Sequence, residues 1–308
     1  MAERETGGFR LYWTALIACL KDIGEKNVAL IAAGVAFYAM LSLFPALAAL
    51  VALLSLISDP GVVIAQLEDM RGLLPDDVYD IINGQIVSLV TTSTDKLGWA
   101  GVVSVSAALW SARAGVAAMM IGLNSVYNER NRNAAMHYLR ALMLTVSLVM
   151  VGIIALITVV IAPIVLSFVP LGVFGYFVAD IIRWSIAIVV LLAGVGVLYR
   201  FGPNRRAAKM GWLTTGAIFA VSSWAILSIG FSFYVTNFGN YNQVYGSIGA
   251  VIAMLVWLWI SSFLVLMGAS WNAQIELRSK SDSTIGRERP AGKRGAYVAD
   301  NLVSIEEK

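Results

Sequence analysis

The chain has 308 residues, of which 59% are hydrophobic and 13% are charged, and its formal net charge is +3. Its mean hydropathy of +0.77 is far above that of soluble globular domains. This composition excludes a soluble globular protein and predicts an integral membrane protein. The single cysteine, Cys19, excludes a disulfide bond within the chain.

A short amphipathic segment precedes the first long apolar stretch. In "FRLYWTALIACLKDIG", Arg10 and Lys21 lie toward the two ends, and apolar residues recur between them at helical spacing. We expect residues 1–27 to form a cytoplasmic interfacial helix that acts as an anchor or as a collar for a gate. Its apolar face would contain Phe9, Trp13, Leu16, Ile17 and Leu20.

Six long apolar stretches predict six membrane-spanning helices. The first stretch alone exceeds the roughly 20 residues that cross a bilayer. The predicted spans are Val28 to Ile57, Gly98 to Leu123, Leu139 to Val169, Val178 to Arg200, Gly211 to Thr236, and Gly246 to Asn272. Residues 28–276 would therefore form a six-span membrane domain.

The distribution of lysine and arginine predicts the orientation of these spans. When Arg140 and Arg200, at the ends of spans, are counted with the adjoining loops, there are 4 such residues before the first span, then 2, 3, 0, 4 and 0 in the five loops, and 7 in the tail. This alternation places both termini in the cytoplasm by the positive-inside rule. The predicted fold class is all-α: a polytopic membrane helical bundle of six transmembrane helices with cytoplasmic termini, plus interfacial or extracytoplasmic amphipathic helices.

Two segments outside the spans differ in character. The outer loop 58–97 carries seven acidic residues and is predicted to be helical, with Pro75 opening its second helix. The apolar face of that helix would contain Val78, Ile81, Ile82, Ile86 and Leu89. The tail 277–308 is polar and lacks apolar periodicity, which predicts a disordered cytoplasmic segment.

Arg113 lies inside the second predicted span, within "LWSARAGVAAMMIGLNSVYNER". A guanidinium in hydrocarbon costs at least ~2.5–3.5 kcal/mol, so it needs compensating contacts. Ser106, Asn124 and Asn128 share its helix face, and a second polar stripe on the sixth span consists of Ser247, Ser261, Gly268 and Asn272. We expect the stripes to face each other, with hydroxyls, carbonyls, Trp257, water or an anion contacting Arg113. Arg113 then serves as a structural staple, an anionic-substrate site or a gate.

Further candidate substrate or gating residues lie in "AFYAMLSLFPAL" on the first span. Pro45 removes a backbone donor and predicts a kink, and Tyr38 and Ser42 would add polar groups to an interior cavity. Packing alone explains such a proline equally well. On the fourth span, Asp180 and Arg183 have the spacing of a local ion pair near the outer face.

Three motifs resemble the YihY/virulence factor BrkB family of bacterial inner-membrane proteins, which also bears the old label ribonuclease BN. They are "AAGVAFYAMLSLFPAL", "LWSARAGVAAMMIGLNSVYNER" and "NYNQVYGSIGAVIAMLVWLWISSFLVLMGASWNAQIE". By matching position, the resemblance singles out Tyr38, Ser42, Pro45, Arg113, Asn124, Tyr127, Tyr245, Gly246, Trp257, Gly268 and Glu276. The chain departs from the family in "GASWNAQIE", where Trp271 replaces an acidic or small aliphatic residue.

The resemblance implies three activities: lipid movement, cation/proton exchange and a role in serum resistance. The leading hypothesis is a translocator of lipid-like or anionic amphipathic substrates, with membrane lipids as partners and an envelope-assembly or energy-coupling partner. The alternatives are a cation/proton antiporter, disfavoured because Asp180 is the only acid inside a span, and a non-transporting envelope scaffold. The oligomeric state is left open.

Enzyme chemistry is not expected from this sequence. The chain has one histidine, His137, and its cytoplasmic acids are scattered, whereas a metal-dependent nuclease needs clustered ligands. No phosphate-binding or nucleotide-binding fingerprint is present. The sequence therefore predicts no catalytic site, no metal, no cofactor and no nucleic-acid partner.

Overall fold

The computed structural model describes residues 9–57, 94–156, 158, 172–238, 247–279 and 281–303. These residues contain eight α-helices and no β-strand, although one isolated bridge joins Ala208 to Thr284. In chain order the helices are α1 (Phe9–Glu25), α2 (Val28–Ile57), α3 (Thr94–Val126), α4 (Ala134–Leu156), α5 (Gly172–Phe201), α6 (Met210–Phe238), α7 (Ser247–Leu277) and α8 (Tyr297–Asp300). The predicted all-α class is confirmed.

Five of these helices are long and apolar enough to cross a bilayer. The segments that meet this test are Val105–Val126, Ala134–Ala155, Phe174–Phe201, Thr215–Tyr234 and Val251–Leu277. Arg10–Glu25 and Val28–Leu43 pass it together, as a pair bent by 69°. The described residues thus contain five candidate spans, or six if the bent pair forms one. The cytoplasmic placement of both termini stays a prediction.

The helix boundaries follow the apolar stretches closely. Helix α2 begins and ends where the sequence predicts, whereas α3 begins at Thr94, inside the predicted outer loop. The predicted helices of that loop fall in residues 58–93 and lie outside the described residues. Most of the last part of the predicted third span lies outside them as well.

The sharp bend between α1 and α2 is made by a two-residue turn. Asn27 adopts a left-handed conformation with φ of +52°, which asparagine tolerates better than most residues. Lys26 holds the turn against α3, because its Nζ donates to the Val126 carbonyl at 3.0 Å and to Asp22 Oδ2 at 2.7 Å. The turn therefore fixes where the amphipathic helix ends and the apolar helix begins.

Helix α1 is amphipathic in the structure as well. Trp13, Ile17 and Leu20 are exposed, whereas Ala15 and Cys19 are fully buried. The residue that departs from the family pattern, Trp271 of α7, donates from its indole Nε1 to the Tyr12 carbonyl at 3.1 Å. Its ring also meets Phe219 of α6 edge-on, 5.1 Å between centroids. Trp271 therefore joins α1 to two long helices.

The chain divides into two compact units. Unit 1 consists of Met1–Ala32, Val116–Leu227 and Ser261–Lys308, and unit 2 consists of Ala33–Gly115 and Ser228–Ile260. A cluster of buried apolar residues in unit 1 joins α3 to α4 and α5; it comprises Met120, Ala141 and Leu144, with Val116, Ala117 and Val197 packed against them. These two units differ from the predicted division into an interfacial helix (1–27), a membrane domain (28–276) and a tail (277–308). That division stays a prediction.

Small residues allow the closest helix contact in unit 1. A Cβ atom on Gly216 of α6 would collide with the Gly268 carbonyl of α7, and one on Gly268 would collide with the Gly216 carbonyl. Asn272 reinforces this contact, since its Oδ1 accepts the Gly216 N–H at 2.7 Å. Glycine is thus required at both positions for the two backbones to approach this closely.

The tail is the main correction to the sequence expectation. A disordered segment was predicted from residue 277, but residues 281–303 pack on the rest of unit 1, with Ser283, Thr284 and Val298 fully buried. Ile285 N–H donates to the Ala207 carbonyl, and Val303 N–H donates to the Leu277 carbonyl. The physical reason is that hydrogen bonds, and not an apolar stripe, hold this segment, so hydropathy periodicity carries no signal for it.

Candidate functional site

Arg113 is half-buried within the candidate span Val105–Val126. Its Nε is buried, and its Cζ lies 5.1 Å from the ring centroid of Trp110 on the same helix. The Trp110 residue is exposed. The contact between Arg113 and Trp257 that the sequence proposed stays a prediction. The guanidinium of Arg113, in unit 2, therefore has a buried Nε and lies next to an exposed aromatic residue of α3.

Of the candidates on α2, Tyr38 lies beside this part of α3. Its Cβ is 3.7 Å from the place where Gly115 would carry a side chain, and its ring meets Phe37 edge-on. The Ser42 hydroxyl donates to the Ala39 carbonyl of its own helix at 2.7 Å. Helix α2 continues through position 45, and the side chain of Pro45 lies outside what the structure describes. Tyr38 is thus the member of this group next to α3.

Ser261 belongs to a cavity of about 250 Å³ in unit 1. Its Oγ accepts the indole N–H of Trp224 at 3.2 Å. The cavity is lined by Met119, Leu191, Val195, Ala220, Val221, Trp224, Ser261, Ser262 and Val265. Trp257, the other candidate on α7, is half-buried in unit 2. The sequence identified one wall residue of this cavity but not the cavity itself.

Asn124 belongs to a hydrogen-bonded junction of loops. Its Nδ2 donates to Asn131 Oδ1 at 2.8 Å, and its Oδ1 accepts the backbone N–H of Asn204 at 2.7 Å. Arg132 adds bonds to the Gly202 and Pro203 carbonyls at 2.9 and 2.7 Å. These contacts place Asn124 at the junction of two loops, and its predicted substrate or gating role stays a prediction.

Two buried charged side chains in unit 1 form an ion pair that the sequence did not predict. Arg205 binds both carboxylate oxygens of Glu276, at 2.7 and 2.5 Å, and the two side chains are only 2% and 4% exposed. The guanidinium also lies over the Tyr127 ring, 5.0 Å from its centroid, and the Ser283 hydroxyl donates to Glu276. A loop, two helix ends and the tail therefore meet at one bidentate pair.

The electrostatics of this junction follow from burial and pairing. Burial disfavours the guanidinium charge, but hydrogen bonds to Glu276 and its negative charge outweigh burial and raise the pKa of Arg205. Burial also raises the pKa of Glu129, although the Tyr297 N–H that it accepts at 2.7 Å acts in the opposite direction. Arg205 is thus held charged, whereas the charge on Glu129 is disfavoured.

The sequence offered little signal for this pair. Arg205 is one of the basic residues counted in the fourth loop, and Glu276 was singled out only by the family resemblance. Because 71 residues separate them, no helical spacing connects the two charges. The one usable signal is Glu276 itself, an acid that closes an otherwise uncharged stretch.

The remaining predictions concern Asp180 and the absence of metal ligands. Asp180 Oδ1 lies 3.0 Å from Arg183 Nη2, so the predicted i,i+3 contact is present, while its position at the outer face stays a prediction. Arg183 also lies over the Trp184 ring. Across the described ranges, no group of three or more His, Cys, Asp or Glu residues is placed to hold a metal ion. The expectation of no enzyme activity stays a prediction.

Comparison with known proteins finds both a family and individual relatives. A family model described as "Virulence factor BrkB" matches residues 19–293. The ribonuclease-like protein YfkH of Bacillus subtilis (strain 168) is 32% identical over 262 residues, which cover 80% of this chain and 90% of YfkH. A UPF0761 membrane protein of Alteromonas mediterranea is 35% identical over 85 residues, 27% of this chain and 28% of that protein. Another, from Pseudoalteromonas translucida (strain TAC 125), is 29% identical over 119 residues, 38% of each chain. No solved structure matches.

Proposed function

This chain belongs to the virulence factor BrkB family of membrane proteins, and from that premise we propose that it moves lipid-like or anionic amphipathic molecules across the membrane. The observation that carries the proposal is the position of Arg113, a half-buried cation within a candidate span. A guanidinium at such depth is costly and marks a functional site more often than a chance position. Arg113 would receive the anionic group of the substrate.

The surroundings of Arg113 suit a phosphate or carboxylate. Arginine presents a planar fork of donors that binds such groups bidentately and remains charged at any physiological pH. The Trp110 ring, 5.1 Å from the guanidinium carbon, stabilises the cation by a cation–π contact. Because the Trp110 ring is exposed, the cation lies close to a surface that hydrocarbon chains contact in a bilayer.

The proposal also covers the membrane in which the protein acts, its orientation and its partners. We place the protein in the bacterial inner membrane, as the family resemblance implies. The lysine and arginine distribution supports an orientation with both termini in the cytoplasm. Membrane lipids are then the immediate partners. Energy for directional movement would come from a gradient or from a partner protein.

A reconstitution assay tests the role of Arg113. Proteoliposomes containing a fluorescent anionic phospholipid would be compared with empty vesicles for the rate of exchange between leaflets. Loss of one charged hydrogen-bonding group costs about 1.5–3 kcal/mol, so Arg113→Gln should slow exchange by roughly 10- to 100-fold. Arg113→Lys, which keeps the charge but loses the fork, should retain part of the activity.

The matched control is Arg200→Gln. Arg200 is likewise half-buried, has a buried Nε and lies 5.5 Å from an aromatic centroid, that of Phe201, but it occupies the last turn of α5. We expect this variant to exchange lipid at the native rate at equal insertion. Equal slowing by both glutamine variants, or loss of exchange only together with loss of folding, would contradict a specific role for Arg113.

A further inference from the structure

The cavity in unit 1 is bounded by four helices and is almost entirely apolar. Its walls come from Met119 of α3, Leu191 and Val195 of α5, Ala220, Val221 and Trp224 of α6, and Ser261, Ser262 and Val265 of α7. The only polar side-chain groups in this wall are the Trp224 indole N–H and two serine hydroxyls. The Trp224 N–H already donates to Ser261 Oγ. The wall therefore offers an occupant very few hydrogen bonds.

The volume and polarity of the cavity decide which occupant fits. At about 250 Å³ it exceeds the cavity of about 150 Å³ that binds benzene in an engineered protein core. Several water molecules, at ~30 Å³ each, would fit by volume, but each needs two to four polar partners. Two serine hydroxyls and one engaged indole cannot supply them. An apolar occupant is favoured over a water cluster.

The position of the cavity indicates where this occupant comes from. Leu191, Val195 and Trp224 are half-buried, and neighbours on the same helices, Ile188 and Ile226, are exposed. All of these residues lie within the candidate spans of α5 and α6. The cavity thus lies beside apolar helix surfaces that contact lipid chains in a bilayer.

We infer that this cavity is a binding site for one unbranched alkyl chain of a membrane amphiphile, which enters between the spans and packs against Trp224, Val221 and Val265. An alkyl chain needs no hydrogen bonds and can match an irregular apolar volume by rotation about its bonds. Such binding can occur without transport, so the inference can stand or fall separately from the role proposed for Arg113.

Photolabelling of the intact protein in vesicles tests this site. The probe is a phospholipid with a diazirine on one acyl chain, and mass spectrometry maps the labelled residues. We expect labelling at Trp224, Val221 and Val265 to exceed labelling at the exposed Ile188 and Ile226. Val221→Phe, which places a ring in the cavity, should reduce labelling of the other wall residues several-fold, because the ring takes up part of the volume that the chain would occupy.

Two further variants complete the test. Ile226→Phe adds the same ring at an exposed position of the same helix and should leave the labelling unchanged. Val195→Phe places a ring in the cavity from α5 and replaces Val221→Phe if that variant fails to fold. Labelling that is no stronger in the cavity than on exposed faces, or that is unchanged in both Val221→Phe and Val195→Phe, would overturn the inference.

A second probe identifies the source of the chain. A free fatty acid that carries the same diazirine would be compared with the phospholipid at equal mole fraction. Stronger cavity labelling by the phospholipid would identify a bilayer lipid as the occupant, and stronger labelling by the free acid would identify a single-chain amphiphile. Absence of cavity labelling by both probes overturns the alkyl-chain assignment, whatever the outcome of the leaflet-exchange assay.

Discussion

The Arg205–Glu276 pair shows why single buried charges must be considered with their partners. Taking either charge out of water costs several kcal/mol, and only close bidentate contact and further hydrogen bonds offset this cost. Glu276 receives two guanidinium donors and the Ser283 hydroxyl, and Arg205 also lies over the Tyr127 ring. The pair therefore depends on the loop, the tail and the end of α3 together.

Glu129, near the same junction, provides a prediction for pH dependence. Burial raises the pKa of its carboxyl in the folded protein above the ordinary value of 4.5. A carboxyl whose pKa is higher in the folded protein than in the unfolded chain stabilises the fold when it is protonated. This stabilisation is fully present below the pKa of the unfolded chain and is lost as pH rises through the pKa of the folded protein. We therefore expect Glu129→Gln to be more stable than the native protein at pH 7, with the difference shrinking toward pH 4.

Thermal unfolding in detergent at several pH values measures this effect. The glutamine can keep the acceptor for the Tyr297 N–H, so the comparison isolates the charge. Glu288→Gln removes a carboxylate from an exposed position and should show little difference at any pH. A stability gain of Glu129→Gln that is constant across pH, or a loss at pH 7, would show that the charge of Glu129 is not disfavoured by folding.

At the scale of helices, the contact between α6 and α7 is the most demanding sterically. Gly216→Ala would place its methyl group against the Gly268 carbonyl and the Asn272 amide. We expect a loss of about 1–3 kcal/mol or more in unfolding free energy, typical of overpacking. Measurement of unfolding midpoints in a mild detergent for purified variants would reveal it.

Gly230→Ala on the same helix is the matched control, because no atom lies within 4 Å of its added methyl group. Alanine is favoured over glycine in a helix by roughly 0.5–1 kcal/mol, so this variant should be neutral or slightly stabilised. If both alanine variants were equally stable, the helices would have to move apart without penalty, and the close contact would not be required.

The elements differ in how far the sequence could predict them. The long helices could be predicted because uninterrupted apolar stretches have few alternatives in a bilayer, and the boundaries of α2 agree with the structure. The docking of α1 could not, since it depends on hydrogen bonds to distant residues of α7 that no local spacing encodes. They join Tyr12 to Trp271, Cys19 to Met267, and Asp22 to Gln274. Of the two candidate sites, Arg113 in unit 2 was identified by residue type, and the cavity in unit 1 was identified only through Ser261. The cavity wall combines four helices whose relative rotation a single sequence does not encode locally.

At the scale of the whole chain, the tail is held by hydrogen bonds from its two ends and its middle. Lys209 N–H donates to the Ser283 carbonyl, Arg206 N–H donates to the Gly295 carbonyl, and Asp300 accepts from the Arg294 and Gly295 N–H groups. The Asp282 carboxylate likewise accepts hydrogen bonds from other residues of the tail. Burial alone would raise its pKa, but the N–H and hydroxyl of Thr284 and the N–H of Arg289 lower it to about 2. A short polar segment thereby gains a defined structure without an apolar core of its own.

The tail should therefore stabilise the membrane-spanning part through the buried ion pair. Deletion of residues 281–308 removes the Ser283 hydroxyl from Glu276 and opens the pair to water. We expect a stability loss on the order of 1–3 kcal/mol, the cost of losing a hydrogen bond to a buried charged group, measured by thermal unfolding of purified protein.

The decisive comparison is a double-mutant cycle with Arg205→Met plus Glu276→Met. If the tail acts through the pair, deletion should cost markedly less in that background, because interacting sites are not additive. A loss that adds to the effect of the two methionine substitutions would mean that the tail stabilises the protein through its other contacts, such as those with Ala207 and Leu277.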